Sequence, residues 1–229
     1  MVGCDGTGKS TLTRDLVKAL KLERPTEWHY MGLVSGETGN KIKQWPIIGP
    51  RLERRLAKKT EVAQDMRNQS PPPWAALIMY GFSLWRASHL KKVRRIAKSG
   101  VLVITDRYPQ SEVTGFYYDG PGLGIGRSKH WLIKRLALRE QRLYEQMATW
   151  RPELVIRLDI DLDTAFARKP DHRPIELRDK IEIMTRLQFN GARIVDLDAR
   201  RPYLEVLDAA LAAVKTVTHP QPPAERSPD

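Results

Sequence analysis

A single cysteine, Cys4, occurs in 229 residues. That excludes an internal disulfide and a metal cage built on cysteines. No stretch nears the roughly 18 consecutive apolar residues of a membrane-spanning helix. The sequence opens without a charged n-region and apolar h-region, although a leader upstream of Met1 would lie outside it. Cytoplasmic placement is the default these absences leave, with no membrane partner expected. Acidic residues are the minority: 39 Lys and Arg against 27 Asp and Glu give 39 − 27 = +12. Such a balance suits phosphorylated ligands, nucleic acid or an anionic surface, or is simply a solvated basic face. The aromatic-interleaved signature of RNA-binding sheets is missing, so nucleic acid is not an expected partner. No segment repeats, and the length suits one α/β domain, with or without an insertion.

What is present starts at the third residue. Gly3-Cys4-Asp5-Gly6-Thr7-Gly8-Lys9-Ser10, followed by Thr11, fits G-x-x-x-x-G-K-[ST], a phosphate-cradling loop. Gly3, Gly6 and Gly8 permit the tight turn that aims backbone N–H groups at phosphate oxygens. Lys9 is expected to reach the β- and γ-phosphates, and the Ser10 hydroxyl to ligate Mg²⁺. The expected ATP-binding set is therefore Gly3, Asp5, Gly6, Thr7, Gly8, Lys9, Ser10 and Thr11. Leu12, Leu16, Ala19 and Leu20 give the next segment helical spacing, so the loop opens a helix whose N-terminus favours anions. Cys4 is read as incidental, with the option that its place near that N-terminus lowers its pKa and makes it reactive. Such a loop follows a buried strand, yet only Met1 and Val2 precede Gly3. Two residues are too few for a central strand, so the native chain is expected to start upstream of Met1.

Further along, Glu27–Met31 reads as a short strand, 35–50 as irregular and 51–67 as a basic helix. Three prolines at 71–73 break the chain before a long helix from Trp74 to Lys98, ended by Gly100. Val101–Ile104 is a continuous β-branched and apolar run, typical of a buried parallel strand. A helix is expected over 131–147, a strand over 154–158 and a short helix over 161–168 capped by Asp161. A charged connection follows, then a helix over about 175–190, a strand over 193–197 and a helix over 202–217. This alternation predicts an α/β fold with a doubly wound parallel sheet flanked by helices. The domain is expected to span 1–218, with an insertion at about 35–73 and a Pro-rich, disordered tail at 219–229. Functional residues should collect at the carboxyl ends of strands, where the loop at 3–10, Asp106-Arg107 and Asp159 all fall.

Residues 77–108 resemble the thymidylate kinase family. The resemblance lies in Phe82-x-x-x-Arg86-x-x-His89 on a helix, then the buried strand, then Asp106-Arg107-Tyr108 with Ser111 three residues on. Gly120–Gly126, Pro152–Asp159 and the basic stretch at 168–178 resemble the family's later segments in the same order. The resemblance implies a P-loop kinase fold with a mobile basic lid over about 168–178, and ATP and Mg²⁺ as cofactors. It implies that Phe82 stacks on the acceptor base, that Arg86 and Arg107 hold the acceptor phosphate, and that Asp5 contacts the acceptor sugar. Tyr108 and Ser111 would join the acceptor-binding set. Arg168 and Arg173 would close over the transferring group, Gly6 standing where some members carry a catalytic Arg. Asp106 is a candidate catalytic carboxylate and, with Ser10, a candidate metal ligand. Homodimerisation through helices beside the sheet is also a family habit. The chain departs from the family at Thr26–Gly32, where a Glu-Pro-Gly-Gly-like stretch is replaced, and at Gly115-Phe116, where a Tyr-Gln pair is expected.

Three functions remain open on these residues. A nucleoside monophosphate kinase needs positioning and positive charge from Lys9, Arg86, Arg107, Arg168 and Arg173, because a phosphate acceptor is already a nucleophile. A nucleoside or sugar kinase also needs a base, for which Asp106 or Asp5 is the candidate. A P-loop ATPase or switch would act on a macromolecular partner through the basic 41–67 stretch.

Overall fold

A computed structural model describes residues 1–32 and 71–218. The basic helix expected at 51–67, nearly all of the expected insertion and the tail at 219–229 lie outside the described residues. The chain divides into two compact units, Met1–Trp28 with Arg151–Asp229, and His29–Trp150.

The first unit is a parallel α/β layer. Strand β1 (Val2–Gly3) leads through the loop at residues 4–8 into helix α1 (Lys9–Leu20), and strand β2 (Thr26–Tyr30) begins here and ends in the second unit. Later in the unit come β4 (Val155–Asp159), α4 (Leu162–Arg168), α5 (Pro174–Arg186), β5 (Ile194–Asp198) and α6 (Tyr203–Thr218). The sheet order is β1-β4-β5. Val2 and Gly3 pair in parallel with Arg157 and Leu158, and Val155–Asp159 pair in register with Ile194–Asp198. Leu12, Leu16 and Leu20 of the expected apolar face of α1 are buried, with Val17 beside them and Ala19 only half-buried, and Val155, Ile156, Leu158, Val206, Ala210 and Val214 are buried in the same unit. Asp161 caps α4, its carboxylate accepting the Thr164 N–H at 2.8 Å, as its position before the apolar run predicts.

The second unit carries α2 (Pro73–Lys98), β3 (Leu102–Asp106), a 3₁₀ turn (Phe116–Tyr118) and α3 (Trp131–Ala148). Strands β2 and β3 form a two-stranded sheet, and beyond them the Met31 N–H donates to the Asp106 carbonyl at 2.8 Å. Pro72 and Pro73 start α2 because a proline at the first helical position surrenders an N–H that has no partner there anyway. Its core joins Met31, Ala87, Leu90, Val93, Tyr144 and Met147, with a second cluster of Ala76, Leu123, Ile133, Leu136 and Ala137. Among the described residues no helix is long and apolar enough to cross a membrane.

Most expected boundaries fall within a few residues of those observed, but α5 ends at Arg186 instead of near 190. Leu187 is extended, and Phe189 and Asn190 take positive φ before Gly191. The reason lies on β4: the Arg157 guanidinium collects the carbonyls of Met184, Thr185 and Leu187 at 3.0, 3.1 and 3.1 Å, ending the helix with a charged cap. The expected single sheet also differs in its ladders. Strand hydrogen bonds fall into a three-stranded and a two-stranded set, with β1 contributing only two residues.

Candidate functional site

In the first unit the turn between β1 and α1 is built on three glycines. Gly3, Gly6 and Gly8 have φ of +146°, +90° and +82°, a region costly for any residue with a Cβ. A Cβ on Gly3 would also stand 2.8 Å from the Leu158 carbonyl oxygen, so the loop approaches β4 too closely for a side chain. Gly8 occupies the N-cap of α1 without a side chain to satisfy the helix N–H groups. That leaves the end of the helix polarised toward an anion. Lys9 is buried, and its Nζ donates to the Cys4 carbonyl at 2.5 Å, while Thr7 Oγ1 donates to the same carbonyl at 2.9 Å. Ser10 and Thr11 are exposed on the first turn of α1.

Three further side chains brace this turn. Lys180 of α5 is 2% exposed, and its Nζ donates to Asp5 Oδ2 at 2.9 Å. His172 Nε2 lies 3.9 Å from the same oxygen. Arg168, at the end of α4, donates from Nη1 to the carbonyls of Gly6 at 3.3 Å and Ala199 at 3.1 Å. Arg173 is the N-cap of α5. Asp159, at the end of β4, accepts the Ile160 N–H at 3.0 Å on its carboxylate, a turn-capping contact.

Cys4 is not the reactive thiol that a helix N-terminus allows. Burial pushes its pKa up to about 11, outweighing the opposing field of Lys9, and Asp5 adds to the rise. The thiol is 2% exposed and donates to the Asp5 carbonyl at 3.0 Å. Desolvation of the thiolate exceeds what one nearby ammonium returns.

In the second unit the residues around the end of β3 are organised by Arg86. Its side chain is fully buried on α2. Nη2 donates to the Arg107 carbonyl at 2.6 Å and to Asp119 Oδ1 at 3.1 Å, and Nη1 to the Asp119 carbonyl at 3.2 Å. The guanidinium also lies over the Tyr144 ring, 5.9 Å from its centroid. Arg107 and Asp119 both hold positive φ, +60° and +63°. Arg86 thus grips both ends of a turn whose backbone is in an uncommon conformation. Gln110, 2% exposed, completes it: its amide nitrogen donates to the Val113 and Tyr118 carbonyls at 2.7 and 3.0 Å, and its amide oxygen accepts the Val113 N–H at 2.7 Å.

Asp106 is 5% exposed, and its Oδ1 is buried without a hydrogen-bond partner. Such an oxygen is costly unless something else occupies it. Tyr108 donates its hydroxyl to the Trp150 carbonyl, and burial pushes its pKa up to about 12. Phe82 and Ser111 are half-buried. The Gly-rich stretch is fixed by Glu140, fully buried on α3. Its two oxygens accept the Ser83 hydroxyl at 2.6 Å and the Leu123 N–H at 2.7 Å. Desolvation raises the pKa of Glu140 against the lowering effect of those donors.

Among the described residues no group of three or more His, Cys, Asp and Glu is arranged to hold a metal. The donors that would suit Mg²⁺ are hard oxygens, the exposed Ser10 hydroxyl in the first unit and the unpartnered Asp106 Oδ1 in the second. Sequence reasoning brought out Arg86, Arg107 and Asp106 but missed Asp119, Gln110, Glu140 and Lys180. Lys180 and Glu140 did leave a signal, since each is a charge in an apolar helical stripe: Leu177, Lys180, Met184, and Ile133, Leu136, Glu140, Tyr144.

A glycine turn at positive φ, joining a strand of a parallel sheet to a helix that carries a buried lysine at its first residue, defines a P-loop protein of mixed α/β fold. No protein-family model matches the sequence. It is 57% identical over 217 residues to "Uncharacterized ATP-binding protein YghR" of Escherichia coli (strain K12), covering 95% of this chain and 86% of that protein. To "Uncharacterized ATP-binding protein YghS" of the same strain it is 46% identical over 214 residues, covering 93% and 90%. The chain belongs to this YghR and YghS family. Its relation to thymidylate kinases is distant: 25% identity over 225 residues to that of Chlamydia felis, covering 93% of each chain.

Proposed function

We propose that this protein binds Mg-ATP and transfers its γ-phosphoryl group to a nucleoside monophosphate, thymidylate being the first acceptor to test. The observation that carries the reading is the loop at 3–8 running into α1 with Lys9 at its start. In it, the backbone of Gly3, Asp5, Gly6, Thr7 and Gly8, with Lys9, Ser10 and Thr11, cradles the triphosphate, and Lys9 neutralises the β- and γ-phosphates. The names of the two Escherichia coli relatives support ATP as the ligand, and the distant thymidylate kinase likeness supports a kinase.

Phosphoryl transfer of this kind needs charge and positioning more than covalent chemistry. Arg107, Arg168 and Arg173 supply cationic charge, Arg168 and Arg173 as part of a lid at 168–178. Phe82, Tyr108 and Ser111 shape the acceptor side, with Arg86 setting the Arg107 backbone, and the Ser10 hydroxyl would ligate Mg²⁺. The chain works as one kinase domain over 1–218, in the cytoplasm. Dimerisation would follow the family habit.

A second reading has its own observation. The buried, unpartnered Oδ1 of Asp106 is the oxygen a base would use on a hydroxyl acceptor such as a nucleoside or sugar. Asp106→Asn separates the two. Loss of turnover on nucleosides with ATP binding intact favours the hydroxyl acceptor. Turnover on thymidylate that survives the substitution but collapses in Lys9→Ala favours the monophosphate. Hydrolysis of ATP indifferent to any acceptor would contradict both.

A further inference from the structure

Asp5 is the one acidic residue of the loop Gly3–Ser10, and α1 has no acidic residue in its first turn. A carboxylate there stands among groups that a polyanionic ligand must approach, so its charge matters. Its oxygen Oδ2 lies 2.9 Å from Lys180 Nζ, and the lysine is 2% exposed. A lysine is rarely buried to that degree without a counter-charge, because desolvating an ammonium costs several kcal/mol. Lys180 has a second structural distinction. Its helix, α5, is tied to β4 by the Arg157 guanidinium, which holds three carbonyls at the end of α5 and whose Nη2 pairs with Asp196 Oδ2 at 3.0 Å. The ammonium is therefore delivered to Asp5 from an anchored element.

We infer that Lys180 is a positioning residue of the phosphate loop: it neutralises the Asp5 carboxylate and keeps it drawn onto α5. The inference rests on the nucleotide-binding reading above and adds a residue that the loop motif does not contain. The loop then meets a triphosphate with backbone amides, Lys9 and a helix N-terminus, its one negative charge cancelled. His172, 3.9 Å from the same oxygen, adds to this field when protonated and is not needed for it when neutral. Without Lys180, Asp5 presents a full negative charge inside the loop and repels the ligand.

The test is calorimetric titration of ATP, with and without Mg²⁺, into the full chain and into Lys180→Met, Lys180→Arg and Lys180→Met/Asp5→Asn. Lys180→Met is expected to weaken ATP binding about tenfold, a change of about 1.4 kcal/mol. Lys180→Arg should retain most of the affinity, and the double variant should recover most of the loss, because removing the carboxylate removes the need for its partner. A direct phosphate contact by Lys180 predicts no recovery, and a merely structural role predicts affinity that follows the melting temperature across the variants. Thermal melts run alongside. If Lys180→Met does not fold, the double variant, which buries no unpaired charge, and Lys180→Arg still decide the matter. ATP binding by the wild type that Lys180→Met leaves unchanged, a double variant no tighter than Lys180→Met, or, where Lys180→Met does not fold, a double variant about tenfold weaker than wild type, overturns the inference alone. A folded wild type that does not bind ATP overturns the nucleotide reading beneath it.

Discussion

Replacing Arg86 with methionine keeps the length of the side chain and removes its charge and its donors. Four acceptors lose a partner: the Arg107 carbonyl at 2.6 Å, the Asp119 carbonyl at 3.2 Å, Asp119 Oδ1 at 3.1 Å and, most weakly, the Tyr144 hydroxyl at 3.4 Å. The Asp119 side chain is 13% exposed, so water compensates little. Breaking a buried ion pair by removing one partner costs about 3–5 kcal/mol, and unsatisfied carbonyls add about 1 kcal/mol each. Apolar packing by methionine returns part of this, leaving a net loss of about 4 kcal/mol. That is a large share of the roughly 5–15 kcal/mol that holds a domain folded. Urea unfolding followed by circular dichroism and tryptophan fluorescence measures the loss directly. Asp119→Asn, which tolerates the observed φ of +63°, completes a double-mutant cycle. The pair should be coupled by more than about 2 kcal/mol. The Arg107 backbone should relax as well, so acceptor KM should rise more than ATP KM. A loss under about 1 kcal/mol with no coupling would refute the account of Arg86 as the grip on this turn.

Other perturbations separate local causes. Gly3→Ala should cost about 2–4 kcal/mol in thermal or urea unfolding, from strain at φ +146° plus the 2.8 Å approach to the Leu158 carbonyl. Gly8→Ala has nothing within 4 Å of the added Cβ, so strain alone remains and the cost should be about 1 kcal/mol. Equal losses would contradict this reading of the loop. Cys4 sets a pH dependence. Its folded pKa of about 11 lies above the 9.0 of an ordinary thiol, so the unfolded chain gives up its proton first. Stability from this group is complete below pH 9 and falls by up to about 2–3 kcal/mol as pH climbs toward 11. Cys4→Ala should abolish that alkaline slope, and native Cys4 should resist iodoacetamide at pH 8; rapid alkylation would contradict the burial argument.

Much of this was legible because spacing encodes burial. The stripe Leu12, Leu16, Leu20 gave α1, the run 101–104 gave most of β3, and Asp161 before an apolar segment gave the start of α4. The phosphate loop was legible for a different reason: glycines at 3, 6 and 8 are needed where φ is positive, and few other residues serve. What the sequence concealed depends on partners distant along the chain. Nothing local to Arg86 says that Asp119 will meet it, and nothing near Asp5 points to Lys180. The end of α5 was misplaced because its cap, Arg157, comes from a strand many residues earlier. Cys4 was given an option that burial removes, since the field of a helix end is visible in sequence and the depth of a side chain is not. A charge standing in an apolar helical stripe, as Arg86, Glu140 and Lys180 each do, was the readable trace of all three buried contacts.

The central claim is transfer of phosphoryl from Mg-ATP to a small acceptor. Its most direct test is ADP release from Mg-ATP by the full chain against thymidylate, the other nucleoside monophosphates, nucleosides and sugars, with Lys9→Ala as the blank. The account predicts release that rises with a nucleoside monophosphate, thymidylate first, and disappears in Lys9→Ala. Release that no acceptor stimulates, or that survives loss of Lys9, would contradict it.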